Sequence, residues 1–269
     1  MTLVVEYAAQ TAVPVEVEGL IPSAVRGKGL AEIEQFQVFH GNRKLPLAEL
    51  FRVSGDPADE RIEFRGNLSG VHWIGAGMDG GEIGVLGHAG RHVGSEMTGG
   101  RILVEGDAGD WLGGQMHGGL IRGRGRAGHL VGAAYRGSPR GMTGGTILVD
   151  GPAGNEIGHS MRRGLIAVGG ADDAVGFNMI AGSILVFGPC GIRPGAGMRR
   201  GTIALFGPER PALLPTFRFG CRLRPLFVTL LLREIARLGY PVPEPLFTAE
   251  LDLYHGDFVA LGRGEVLMV

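Results

Sequence analysis

Eight isoleucines recur through the middle of this chain: Ile62, Ile83, Ile102, Ile121, Ile147, Ile166, Ile184 and Ile203, separated by 21, 19, 19, 26, 19, 18 and 19 residues. A period near 20 residues marks a stack of small, similar units. Aligned on the isoleucines, "GGEIGVLGHAGRHVGSEMT" (80–98), "GGRILVEGDAGDWLGGQMH" (99–117) and "GGTILVDGPAGNEIGHSMR" (144–162) superimpose, with looser copies before and after. The unit reads I-x-V-x-G-x-x-G-x-x-x-G-x-x-M-x-G-G-x. Seven of the nine methionines fall at one place in it: Met78, Met97, Met116, Met142, Met161, Met179 and Met198.

A helix needs apolar residues at i, i+3, i+4 and i+7. Each unit instead has one short I-x-V alternation and then glycine, which punctuates strands with corners. The reading is an all-β chain, a parallel β-helix of about seven coils with Ile, Val and Met inward. The second glycine of each doublet, from Gly81 to Gly201, is expected at positive φ or at a contact too close for a Cβ. The 50 glycines therefore belong to the repeat. Two stretches, "GRGRAG" (123–128) and "GAGMDG" (75–80), have the spacing of a dinucleotide loop but lack its strand-to-helix context. They are read as ordinary corners, with Gly123 in the place of an inward Val.

Three segments follow. Residues 1–59 are expected to cap the first coil, 60–208 to form the glycine-rich β-helix, and 209–269 to form an extension. In that extension "PLFVTLLLREIARLG" predicts a helix beginning at Pro225 and ending at Gly239. The closing "YHGDFVALGRGEVLMV" alternates like one or two strands. Outward positions carry Leu86, Leu103, Leu148, Ala167, Leu185, Ala204, Phe187 and Phe206, so the wall is apolar on both faces and calls for cover by the helix and by a partner.

The net charge of −1 speaks against nucleic acid as the main partner. The longest apolar run, "PLFVTLLL", is too short for a bilayer, and "MTLVVEYAAQ" lacks the marks of a signal peptide. Cys190 and Cys221 form no ligand pair or disulfide framework. The expectation is a cytoplasmic chain without membrane contact.

Chemistry-bearing patterns are sparse. His88 and His92 lie on a glycine corner, not a helix face. No H-E-x-x-H, Cys/His cluster or G-x-S-x-G occurs. Asp107, Asp110, Asp150, Asp172 and Asp173 fall in loop or outer-strand places where solvated carboxylates are expected. Trp73 and Trp111 read as isolated, which disfavours a carbohydrate-cleaving β-helix. No catalytic or metal-ligating residue is assigned. The coil 118–143 holds an insertion, "AAYRGSPRG", and Arg122, Arg124, Arg126, Arg136 and Arg140 without any acid. Arg122 and Arg124 flank an inward position and should point outward. The five arginines are either a contact for an anionic ligand or acidic partner, or a solvated outer face.

With the repeat laid out, "GGxIxVxGxAGxxxGxxM" resembles the glycine-rich β-helix shared by the glutamate synthase C-terminal domain and the C subunit of formylmethanofuran dehydrogenase. The lead-in "VFHGNRKLPLAELFRVSG" and the tail "YHGDFVALGRGEVLM" are similar to the latter branch. That resemblance implies a noncatalytic scaffold in a formyltransferase/hydrolase complex of one-carbon metabolism. Such a complex moves a formyl group from tetrahydromethanopterin to a methanofuran-type cofactor and releases formate. Its implied partners are a formyltransferase subunit, an amidohydrolase-like hydrolase subunit and one further subunit, with no cofactor bound by this chain alone. The C subunit of a molybdenum or tungsten formylmethanofuran dehydrogenase, and a standalone glutamate-synthase-like subunit, are the alternatives. The arginine-heavy composition, in which only Lys28 and Lys44 of 26 basic residues are lysines, favours the bacterial setting. Methanofuran-type cofactors carry glutamyl tails, which makes the 118–143 arginines a candidate contact.

Overall fold

A computed structural model describes residues 2–269. The chain is all-β with a few short helices and one longer one. The eight isoleucines are aligned residue for residue: Ile62 pairs with Ile83, Ile83 with Ile102, and so on without slippage to Ile203. Every one of these strand pairs is parallel. The column continues beyond the repeat at both ends, with Leu3 beside Ile62 and Val266 beside Ile203. Two residues along each strand runs a second column, from Val5 and Phe64 through Val85, Val104, Gly123, Val149, Val168 and Val186 to Leu205 and Met268. Gly123 sits where its neighbours carry Val, as expected.

These strands form a 13-stranded sheet that is parallel through its middle and antiparallel at both ends. Phe51–Ser54 lies antiparallel to Leu3–Tyr7 at one end. At the other, Leu251–Gly256 and Arg218–Leu223 follow Arg263–Met268 in antiparallel order. A second sheet joins Arg43–Pro46, Gln37–His40, Val15–Glu16 and Val71–His72.

The remaining sides of the repeat stack in the same order. Bridges run from Leu68 to Ala89, Ala108, Ala127, Ala153, Ala171 and Cys190. At the next corner, the amides of Gly94, Gly113 and Gly132 donate to Ile74, Val93 and Leu112 carbonyls one repeat earlier, at 2.8–2.9 Å. At the last corner, Thr98, His117 and Thr143 donate to the carbonyls of Met78, Met97 and Met116, each at 2.8 Å. A side chain placed at one point in the unit therefore lies over its equivalent in the next, about 4.8 Å away. All seven repeat methionines are fully buried, as unbranched fillers of the interior.

Two glycines show why the doublet and the corner tolerate nothing larger. Gly94 has φ +64°, and a Cβ there would lie 2.5 Å from Ile121 Cδ1. Gly100 has φ +84°, and a Cβ would lie 2.6 Å from Met78 Cε and 2.9 Å from Gly81 O. Positive φ and contact with the stacked side chain act together.

The dinucleotide-loop spacing is accounted for in the same way. Across 124–129 the backbone amides are consumed by the previous or following repeat: Arg124 by Val104 O, Gly125 by Gly106 O, Ala127 by Pro152 O and Gly128 by Ala108 O. Arg126 N and His129 N donate to the carboxylates of Asp107 and Asp110, at 2.7 and 2.8 Å. No helix follows. A pyrophosphate would find no free amides.

The predicted C-terminal helix spans Leu226–Arg237 after Pro225. It closes at Gly239 (φ +86°), where Gly239 N donates to Ala236 O and Tyr240 N to Ile235 O, the paired bonds of a Schellman motif. Val228, Leu232 and Ile235 pack over Leu148, Ala167, Leu185 and Ala204 as a second apolar cluster outside the wall. The early wall is not covered: Leu86 is 46% exposed.

Substituting Gly100→Ala should cost more than ~1 kcal/mol, because both strain and overlap must be relieved. Ile147→Ala should cost about 2–5 kcal/mol. Urea unfolding of the two variants beside the parent checks both.

Candidate functional site

The five arginines of 118–143 do not share one surface. Arg122 departs from expectation: it is only 2% exposed, and among the described residues it is the largest fully buried side chain. It leaves the strand on the outer side, but the C-terminal segment closes over it. Its guanidinium is paired with Asp150, donates to Gly239 O at 3.1 Å and lies 5.1 Å from the centre of the Tyr240 ring. Burial lowers the Arg122 pKa, and the facing Asp150 carboxylate works against that shift. The carbonyl that Arg122 meets belongs to the glycine that terminates the helix. Arg122 thus holds the helix end to the wall and is not open to a ligand.

Arg124 reaches the other oxygen of Asp150 at 3.3 Å and stays half exposed. Arg126, Arg136 and Arg140 are exposed and enter no ion pair among the described residues. Asp150 is accordingly a pairing group, not a solvated carboxylate. Asp107, Asp110 and Asp173 likewise have structural partners, accepting the amides of Arg126, His129 and Ile192 from the next repeat. His72, His88 and His129 accept amides through Nδ1 in the same manner, which puts the ring proton on Nε2.

The feature hidden from a residue-by-residue reading is an aromatic column. Trp73, His92 and Trp111 occupy one place in the unit, 19 residues apart, each at positive φ (64°, 65° and 56°). The His92 ring stacks on Trp73 at 4.1 Å and on Trp111 at 5.4 Å, with interplanar angles of 8° and 15°. Tyr135, supplied by the insertion, lies against all three. Its hydroxyl donates to Ser95 Oγ at 2.7 Å, so His92 Nδ1, 3.1 Å from that oxygen, is the donor to it. Ser95 Oγ in turn donates to Trp111 O at 3.3 Å. Burial, with Arg91 and His72 adding to it, pushes the His92 pKa down to about 4, and burial pushes Tyr135 up to about 12. The two tryptophans are therefore not isolated. Their common register in the repeat was the available signal.

Beside the column, Trp111, Tyr135, Arg136, Ser138, Glu156 and His159 border a depression of about 250 Å³. Larger depressions of about 800 and 480 Å³ lie at the methionine corner of the later repeats. Among the described residues no group of three or more His, Cys, Asp or Glu side chains converges as for a metal, and no helix is long and apolar enough to cross a membrane.

The overall fold is shared by a solved structure. The chain aligns with a chain of the formyltransferase/hydrolase complex (FhcABCD) from Methylorubrum extorquens, solved by X-ray crystallography in complex with methylofuran. The TM-score is 0.91 at 31% identity, covering 98% of each chain. The chain belongs to the C-subunit family of formylmethanofuran dehydrogenases. Sequence relatives agree. The C subunit of molybdenum-containing formylmethanofuran dehydrogenase 1 from Methanothermobacter thermautotrophicus is 44% identical over 79 residues, 29% of this chain and 20% of the relative. The C subunit of tungsten-containing formylmethanofuran dehydrogenase 2 from the same organism is 40% identical over 88 residues, 31% of this chain and 33% of the relative. These two alignments thus span a third or less of the relatives' lengths. No family model matches the chain.

Two outcomes are expected. Asp150→Ala should cost about 3–5 kcal/mol by leaving a buried cation unpaired, whereas Arg122→Met should cost less; denaturant titration separates them. For His92, the folded pKa near 4 lies below the ordinary value of about 6.5, so the folded state favours the neutral ring. Its contribution is intact above pH ~6.5 and is lost as pH falls toward 4. His92→Phe should flatten the pH–stability curve between those limits.

Proposed function

We propose that this chain is the noncatalytic scaffold subunit of a formyltransferase/hydrolase complex in one-carbon metabolism. In this reading the repeat is a rigid parallel β-helix. Residues 1–59 cap it, 60–208 form its body, and 209–269 clasp its later wall. The observation that carries the proposal is the end-to-end superposition on a chain of FhcABCD, which supports a common place in a multi-subunit assembly. Consistent with a spacer role, His72, His88, Asp107, Asp110, His129 and Asp173 at the corners accept amides of the next repeat.

The complex would transfer formyl from tetrahydromethanopterin to a methanofuran-type cofactor and hydrolyse the product to formate. A formyltransferase subunit, an amidohydrolase-like subunit and a further subunit would supply that chemistry in the cytoplasm. The methylofuran of the neighbouring structure supports a cofactor of that type for the assembly. The residues of this chain fit a contact with an anionic tail better than an enclosing pocket. The depression beside Arg136 holds about 250 Å³, below the usual range of ligand pockets at ~300–1,000 Å³. Arg124, Arg126, Arg136 and Arg140 are the proposed tail contact. Arg122 is withdrawn from it by its burial.

A second reading, the C subunit of a molybdenum- or tungsten-containing formylmethanofuran dehydrogenase, is favoured by the local identity to those proteins. Affinity purification of the tagged chain from its native cell separates the readings. Formyltransferase and amidohydrolase-like chains in defined ratio are the expected companions. Recovery with molybdenum- or tungsten-binding and iron–sulfur subunits would favour the second. A glutaminase-like companion, or none, would overturn both.

A further inference from the structure

The two larger depressions adjoin one another, sharing Ile180, Arg199 and Leu261 on their common wall. The second is bordered by Arg162, Arg163, Arg199 and Arg200. These residues follow two of the repeat methionines, Met161 and Met198. At 163 and 200 arginine replaces the first glycine of the doublet, which is Gly80, Gly99, Gly118 or Gly144 in earlier repeats. In three of those repeats the place is confined: a Cβ at Gly99, Gly118 or Gly144 would lie 2.5, 2.2 or 2.3 Å from the carbonyl oxygen of Asp79, Thr98 or His117. Arginine there is a departure from what stacking asks of the unit, and it occurs twice, on the same side of the molecule.

Between the two pairs, the intervening repeat carries Ile180 and Ala181. The pairs are thus two repeats apart, about 10 Å, near enough to act on one ligand and far enough to limit mutual repulsion. Among the described residues no carboxylate forms an ion pair with any of the four. The single acid lining either depression is Asp257, only 5% exposed. Its oxygens are occupied by the amides of Gly197 and Val259, at 3.1 and 3.0 Å. It forms no ion pair with the four arginines, which outnumber it. The rim is apolar: Val259 is 81% exposed and Leu261 47% exposed, with Phe258 at 55% beside them.

We propose that this groove is a docking site for an acidic peptide segment of a partner protein, its carboxylates held by the two arginine pairs and an apolar side chain seated against Val259 and Leu261. Guanidinium groups match carboxylates in bidentate geometry. A cationic patch joined to exposed apolar residues fits a mixed acidic–apolar segment better than a uniformly charged one. The proposal stands on this groove alone and is separate from the 118–143 tail contact.

The test uses the purified full chain and fluorescence anisotropy with a labelled peptide of about ten residues in which glutamates alternate with leucines. Binding is expected at low salt and should weaken steeply as ionic strength rises. Charge reversal at Arg162→Glu with Arg163→Glu, or at Arg199→Glu with Arg200→Glu, should each weaken it about tenfold or more. Reversal of the exposed Arg43→Glu with Arg52→Glu should leave it nearly unchanged. Circular dichroism confirms that all variants remain folded. Val259→Gln with Leu261→Gln should also weaken binding, by removing the apolar seat.

Absence of binding, equal binding of the same peptide with glutamine for glutamate, or equal loss in the Arg43/Arg52 variant would overturn the proposal. So would equal affinity for an all-glutamate peptide, which would point to a general polycarboxylate contact. None of these outcomes bears on which proteins co-purify with the chain, so the two proposals fail separately.

Discussion

The structure depends on backbone hydrogen bonds that run from each repeat to the next in a single register. Because Ile62 through Ile203 pair without slippage, every other position in the unit is carried into register with them. A slip of one residue would turn the Ile and Val columns outward and bring the alternate column, from Glu63 and Arg122 to Leu185 and Ala204, inward. The glycines secure that register from the corners, where the close approach of stacked Ile and Met side chains excludes a Cβ. The cost is conformational, since glycine loses more freedom on folding than other residues. What results is a long, continuous core whose terminal edges are occupied by other parts of the same chain.

Those ends are managed by the flanking segments. Leu3–Tyr7 lies beside the first repeat strand and Arg263–Met268 beside the last, so residues far apart in sequence complete the same two columns. The outer wall is treated unevenly along its length. Over the later repeats, the helix Leu226–Arg237 buries Leu148, Ala167, Leu185 and Ala204, with Arg122 and Asp150 pinning its end. That arrangement converts an arginine of the repeat from a ligand candidate into an internal clamp. The helix presents a further apolar face outward, with Leu226 at 72% and Leu230 at 56% exposure, in keeping with a chain that functions among partners.

The aromatic column illustrates how a repeat generates a site that no single unit contains. Trp73, His92 and Trp111 are ordinary one at a time and stack only because the units stack. The insertion then adds Tyr135 across them, and its hydroxyl links His92 to Ser95. The arginine pairs after Met161 and Met198 arise by the same logic, brought to one groove by two repeats of translation. Asp107, Asp110 and Asp173, read one by one as solvated, are instead acceptors for amides of adjacent repeats, as are His72, His88 and His129. Their roles follow from the vertical neighbour, which a linear pattern does not name unless the register is applied to polar residues as well as apolar ones.

From the sequence by itself came the unit, its Ile, Val and Met positions, the glycines at positive φ, the helix from Pro225 to Gly239 and the family resemblance. All of these are encoded locally or by strict periodicity, and periodicity survives without coordinates. Only the tertiary structure decided that Arg122 is buried, that Asp150 faces it, that Leu3 and Val266 extend the isoleucine column, and that Tyr135 closes over the tryptophans. Each of those depends on where a non-repeating segment returns to the stack. The chain's return path is set by the packing of whole surfaces, and no spacing between residues records it.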